Sequence, residues 1–239
     1  MTTDAVEYRP GLWLRGVVPP LRLADFRLVA FDMDSTLISI ECVDELADVV
    51  GRKAEVAAIT EAAMRGEIAD YKESLRRRVA LLRGMREEAL QTVYDERLRL
   101  NPGVERFVGA CKSARLHTLL VSGGFTFFSD RVRDRLGIDD TRSNVLEIEG
   151  GALTGRMLEQ PWGDICDGAE KRRATLAACA RLGIAPAQAL AVGDGANDLP
   201  MMNAAGLSIA FHAKPAVRAQ AAVAITEGGL DRALDVLLS

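Results

Sequence analysis

Three apolar runs in this chain each end in acids, hydroxyls and glycines, and that recurrence limits what it can fold into. Leu28-Val29-Ala30-Phe31 runs into Asp32-Met33-Asp34-Ser35-Thr36; residues 116–121 run into Ser122-Gly123-Gly124; residues 189–192 run into Gly193-Asp194-Gly195. Short apolar runs bounded by turn residues read as buried strands. Two more such runs lie at 207–211 and 221–225. Helical patterns separate several of them: Val104, Phe107, Val108 and Cys111 fall at i, i+3, i+4 and i+7, one face of a helix. Strands alternating with helices indicate a parallel sheet covered on both faces. Ligands of such sheets bind beyond the carboxyl ends of the strands, where all three polar clusters fall.

The expected fold is therefore α/β, a Rossmann-like doubly wound parallel sheet, with two additions. Residues 41–100 contain helix-spaced apolar positions (Val43, Leu46, Ala47, Val50; Leu75, Val79, Leu82) and no good strand, which predicts an all-helical cap of about four helices inserted after the first strand. Residues 143–158, with Gly150-Gly151 at their centre, predict a small β-hairpin. The expected division is an irregular leader over 1–26, with at most a short strand, a core over 27–38 and 101–239, and a cap over 39–100. Gly66 and Gly84 are candidate flexible points for cap opening.

Composition excludes some roles. The chain has 239 residues, 49% of them hydrophobic, and a net charge of -4, which disfavours a dedicated nucleic-acid binder. The run Arg76-Arg77-Arg78 is too short to change that. Cys42, Cys111, Cys166 and Cys179 form no CxxC pair, so buried thiols in a reducing cytoplasm are expected rather than a disulfide framework or zinc site. The N-terminus lacks the features of a signal peptide and no stretch is long enough for a membrane span. No membrane or nucleic-acid partner is expected, only a small-molecule substrate. His117 and His212 read as structural, Trp13 and Trp162 as packing residues.

The acid-rich strand ends suit phosphoryl transfer. An aspartate that attacks phosphorus needs its own charge and the phosphate's offset, which a divalent cation does. A second acid two residues on can protonate the leaving oxygen and later activate water. In extended chain i and i+2 lie on one side, so Asp32 and Asp34 can serve one site.

The motifs DMDST (32–36), VSGG (121–124), Lys171 and GDGAND (193–198), in this order, resemble the haloacid-dehalogenase superfamily of aspartate-nucleophile phosphatases. The resemblance runs from about residue 27 to the C-terminus. It is nearest to the members that dephosphorylate phosphoserine, through Glu41, Ser74–Val79, Phe125 and the continuation to Met201. It implies Asp32 as nucleophile and metal ligand, and Asp34 as general acid and base with its backbone carbonyl on the metal. Asp194 would be the other protein ligand of a Mg2+ ion, with Asp198 behind it, orienting metal-bound waters or Lys171. Ser122, Gly123 and Asn197 would hold the phosphate, and Lys171 would offset charge on the reacting groups. In the cap, Glu41 would take the substrate ammonium, Arg78 its carboxylate, and Met64 and Tyr71 would form an apolar wall. The implied reaction is hydrolysis of O-phosphoserine, the last step of serine biosynthesis. The stretch from Met64 to Ser74 is one residue longer than the family's pattern, and Tyr71 stands where phenylalanine is common.

Two alternatives share these motifs. One is a phosphatase or phosphotransferase for another small phosphomonoester. The other is a receiver-like module that keeps phosphate on an aspartate as a signal; a general base at Asp34 would hydrolyse such an adduct. A nucleotide-binding module is disfavoured, because neither GxxxxGK[ST] nor GxGxxG occurs.

Overall fold

The computed structural model describes every residue except 1–3, 66, 69 and 239, and the side chain of Met64 also lies outside the described set. The chain opens with β1 (Val6–Arg9), β2 (Leu12–Leu14), β3 (Leu21–Arg22) and β4 (Leu28–Phe31). Four helices follow: α1 (Cys42–Val49), α2 (Lys53–Met64), α3 (Tyr71–Ala80) and α4 (Glu88–Glu96). Then come α5 (Val104–Ser113), β5 (His117–Phe125), α6 (Thr126–Leu136), β6 (Asp140–Glu149), β7 (Ala152–Leu158) and α7 (Gly168–Leu182). The last part holds β8 (Ala189–Gly193), α8 (Leu199–Met202), β9 (Leu207–Phe211), α9 (Pro215–Arg218), β10 (Val223–Ile225) and β11 (Leu237–Leu238).

Among the described residues, nine strands form one sheet in the order β1-β2-β10-β9-β8-β4-β5-β6-β7. The six from β10 to β6 run parallel. β4 is central and buried along its whole length. Its alternating side chains supply both faces: Val29 and Phe31 join the core that includes Phe107 of α5, while Leu28 and Ala30 join the core that includes Ala174 and Ala178 of α7. Phe31 and Phe107 meet edge to face with ring centroids 6.1 Å apart, a favoured aromatic geometry. This two-sided burial explains why the strand reads as an unbroken apolar run.

The helical insertion follows β4 directly. The hairpin forms at Gly150 and Gly151, whose φ angles of +59° and +73° suit a tight two-residue turn. It is more than a hairpin, because β6 also pairs in parallel with β5. It also carries the cap: Gly84 N–H donates to the Leu153 carbonyl, and Leu153 N–H to the Met85 carbonyl, each at 2.8 Å. Gly66 lies outside the described residues; Gly84 has φ +82°.

Residues 4–26 differ from the expected irregular leader. β1 and β2 form a hairpin, and β2 continues the sheet antiparallel to β10, with Trp13 opposite Ala224. The strands have four and three residues and β1 is exposed throughout, so no alternation marks them in the sequence. Trp13 and Trp162 pack against the α7-side core.

Candidate active site

The first site loop is a sharp reversal after β4. Asp32 N–H donates to the Val192 carbonyl at 2.9 Å, the last ladder bond of the strand. The N–H groups of Thr36, Leu37 and Ile38 then all turn back to the Met33 carbonyl at 3.2, 2.8 and 3.0 Å. Ser35 takes up the reversal with φ +56°, a conformation that costs a non-glycine residue energy. Asn101, just before α5, clamps the loop from outside, donating to the carbonyls of Thr36 and Ile38 at 2.9 Å.

The loop buries Asp32 beside Lys171 on the first turn of α7. Lys171 Nζ donates to Asp32 Oδ1 at 2.5 Å and to Asp198 Oδ1 at 2.6 Å, and the Lys171 side chain has no solvent exposure. Asp167 starts this helix by accepting from Glu170 N–H at 2.8 Å. Asp198 is held in turn by its own loop, accepting from the N–H groups of Asp194 and Gly195 at 3.1 and 2.9 Å. That folding-back requires glycine: a Cβ on Gly193 would lie 2.5 Å from Asp198.

Ser122 and Gly123 come from a break in β5. Val121 pairs with Arg142 and Phe125 with Asn144, so four steps on β5 match two on β6. The surplus pushes Ser122-Gly123-Gly124 out of the ladder. The buried Ser122 hydroxyl accepts from Gly124 N–H at 2.9 Å, leaving its own O–H to donate. Asn144 braces the bulge, giving its amide hydrogen to the Gly123 carbonyl and accepting from Cys166 N–H, both at 2.8 Å. Tyr71 at the start of α3 reaches down from the cap: a Cβ on Gly123 would sit 2.0 Å from its hydroxyl oxygen.

Asp34 faces the cap. Its Oδ2 accepts from Cys42 N–H at 3.0 Å and its Oδ1 from the Cys42 thiol at 3.3 Å. Glu41, exposed at the N-cap of α1, accepts from the Ser35 hydroxyl at 2.6 Å. Arg78 is half-buried, whereas Arg77 is exposed and paired with Glu73 at 2.7 Å. Asn197 is half-buried in the turn 196–198, its Oδ1 against Gly195. No bond joins Asn197, Glu41 or Arg78 to Ser122 among the described residues. The expected role of the Met64 side chain falls outside them.

The electrostatics call for a cation. Burial pushes the Asp32 carboxyl well up, and Asp198 and Asp194 add to it. Asp194 is raised to about 7, first by burial, then by Asp198 and Glu41. Asp34 is also raised to about 7, by burial and then by Glu41. Burial works against the Lys171 ammonium, but Asp198 and Asp32 outweigh it and hold it charged. Oxygen atoms of Asp32, Asp194 and Asp198 lie within 4.8 Å of one another. Three carboxylates against one ammonium, all with oxygen donors, fit a hard divalent cation. Asp198 already spends both oxygens on Lys171 and its own loop, so Asp32 and Asp194 are the freer donors. Thr36 Oγ1 steadies Asp194, donating at 3.3 Å.

Cys42, Asn101 and Asn144 were not singled out for these roles in the sequence. Cys42 is adjacent to Glu41, but Asn101 and Asn144 act across the fold and carry no local signal. The two histidines are bonded away from the site, His117 Nε2 with Asp140 at 2.7 Å and His212 Nε2 with the Gly228 carbonyl at 2.8 Å.

Comparison with known proteins agrees with this geometry. The haloacid dehalogenase-like hydrolases match residues 26–206, and the chain belongs to that family. Among its relatives, the phosphoserine phosphatase of Albidiferax ferrireducens is 70% identical over 227 residues, 95% of this chain and 96% of that protein. The phosphoserine phosphatase of a Polaromonas species is 69% identical over 231 residues, 97% and 98% of the two chains. A solved phospho-aspartyl intermediate analogue of phosphoserine phosphatase superposes with a TM-score of 0.81 at 33% identity, over 89% of this chain and 99% of that one.

Proposed function

We propose that this chain is a Mg2+-dependent phosphomonoesterase that hydrolyses O-phosphoserine to serine and phosphate through an aspartyl-phosphate on Asp32. The observation that carries the reading is the buried Lys171, which bonds Asp32 and Asp198 at once. A lysine spent there neutralises a nucleophile and its neighbour, and a surface ion pair would not need such burial.

Lys171 occupies Asp32 Oδ1 and leaves Oδ2 to attack phosphorus. As the new O–P bond forms, the bond from phosphorus to the serine oxygen breaks, and Asp34 gives that oxygen its proton. Asp34, now a carboxylate, takes a proton from water as the water attacks phosphorus and the Asp32 oxygen leaves. A pKa of about 7 suits both half-reactions at neutral pH. Ser122 donates its O–H to a phosphate oxygen, with the Gly123 backbone and Asn197 as further phosphate-holding groups. Mg2+, held by Asp32, Asp194 and the Asp34 carbonyl, would supply charge neutralisation at the phosphoryl group. Asp198 orients Lys171.

In the cap, taken as residues 39–100, Glu41 receives the substrate ammonium and Arg78 its carboxylate, while Tyr71 closes over Gly123. A planar guanidinium suits a carboxylate. The phosphoserine phosphatase relatives support this choice of substrate over other phosphomonoesters. No helix of the described residues is long and apolar enough to cross a membrane. A reducing cytoplasmic setting is supported by the four buried, unbridged thiols. The test is phosphate release from phosphoserine with magnesium and with EDTA. Metal-dependent turnover that favours phosphoserine over sugar phosphates is expected; its absence overturns the reading.

A further inference from the structure

Ser35 carries the site loop through a left-handed backbone conformation, φ +56°. Glycine enters that region freely, and any other side chain there costs energy. The chain nevertheless places a serine here, and its hydroxyl is engaged: Oγ donates to Glu41 Oε1 at 2.6 Å. The main chain of Ser35 is tied down on both sides of that side chain. Its N–H donates to the Ile40 carbonyl at 3.2 Å, and its carbonyl accepts from the Asn101 side chain at 3.3 Å. The hydroxyl is thus offered to Glu41 from a fixed point on the core loop.

Glu41 has little else to hold it. It is exposed at the start of α1, and among the described residues its carboxylate has no other hydrogen-bond or ion-pair partner. Glu45 and Asp48 on the same helix are both taken by Arg97 at 2.6 Å, whereas no cation of the described residues neutralises Glu41. Its charge is felt at the reaction centre, where it raises the carboxyls of Asp34 and Asp194. A long exposed side chain samples several rotamers unless a bond restrains it. The Ser35 hydroxyl supplies that restraint and occupies one oxygen, leaving Oε2 free.

We propose that Ser35 is the positioning residue for Glu41: its hydroxyl fixes one carboxylate oxygen so that the other is aimed at the ammonium of the substrate. The inference deepens the phosphoserine reading and rests on it. Without the hydroxyl, Glu41 keeps its charge but loses its orientation. The damage should fall on substrates that carry an ammonium.

The experiment compares O-phosphoserine with the phosphate ester of hydracrylate, which keeps the carboxylate and phosphate but lacks the ammonium. Ser35→Gly removes the hydroxyl and relieves the backbone; Ser35→Ala removes the hydroxyl and keeps the strain. An effect common to both therefore belongs to the hydroxyl, and a thermal melt checks that each variant folds. In both, the ratio of kcat/KM for the two substrates should fall about fivefold, mostly through KM for phosphoserine. In a Glu41→Gln background, removing the hydroxyl should change the ratio no further. An unchanged ratio, a fall in the alanine variant that glycine restores, or a further fall of the same size in the Glu41→Gln background overturns the assignment. If the wild-type protein itself shows no preference for phosphoserine over the hydracrylate ester, the substrate reading has failed and takes the inference with it.

Discussion

The backbone N–H of Cys42 donates to Asp34 Oδ2 at 3.0 Å, so the first helix of the cap begins on the side chain of the second aspartate. Glu41 at the N-cap of α1 makes no side-chain cap bond, and Asp34 does that work from eight residues upstream. A carboxylate near a helix N-terminus is favourably placed. The acid and the cap are thereby tied: whatever orients α1 also orients the group proposed to give and take the proton.

Asp34→Asn keeps an oxygen for the Cys42 N–H and removes the proton chemistry. Steady-state kcat on phosphoserine should fall about a hundredfold or more. With p-nitrophenyl phosphate, whose leaving group needs no proton, a burst of product near one equivalent of enzyme should precede the slow phase. A steady rate within about tenfold of wild type would rule out Asp34 as the acid and base.

Lys171 is wholly buried between Asp32 and Asp198. Removing one partner of a buried ionic cluster strands the others, and the typical cost is about 3–5 kcal/mol. Lys171→Ala should therefore lower stability by roughly that amount in urea titrations and lower kcat by about a hundredfold or more. A variant with wild-type stability would mean that Asp32 and Asp198 are solvated or protonated.

The metal-free protein should lose stability as pH rises. Asp34 and Asp194 stand at about 7 in the fold, well above the ordinary aspartate value of about 4. The folded state thus binds protons more tightly than the unfolded chain. Their contribution is complete below the unfolded value, near 4, and is lost as pH climbs through about 7. Magnesium bound at Asp194, as proposed, would compete with the proton there, so its stabilising effect should grow over the same window. Thermal melts with and without magnesium, from about pH 5 to about pH 8, measure both trends. An upward shift by magnesium that is as large at the acidic end as at the basic end would contradict it.

How far the sequence reached depended on whether a residue's role is local. Asp32, Ser122 and Asp194 end apolar runs, and the parallel sheet brings strand ends together, so period and position sufficed. Lys171 was legible only from its place in the order of motifs, since a lysine beside Arg172 and Arg173 otherwise reads as solvated. Asn144 braces Gly123 from β6, and nothing local in DTRSNV announces it. β1 and β2 were missed as sheet strands because VEYR is exposed on both sides and LWL is only three residues long.

The cap is also clasped from its far side. Lys72 Nζ lies 2.7 Å from Asp164 Oδ1 and 3.8 Å from Asp167, and Arg76 joins Asp164. Asp167 is the residue that caps α7, four positions before Lys171. α3 is thus held to the core by ion pairs on one side and presents Tyr71 to Gly123. Lys72 and Asp164 are 27% and 36% exposed, so each pair contributes little to global stability, about 1 kcal/mol at most. The effect belongs on cap closure instead. Asp164→Asn should leave the melting temperature nearly unchanged and raise KM for phosphoserine a few-fold at low salt. Screening weakens the clasp in the wild-type protein as ionic strength rises, so the two KM curves should converge near about 1 M salt. If they stay parallel, Asp164 acts through local structure and the clasp does not control entry to the site.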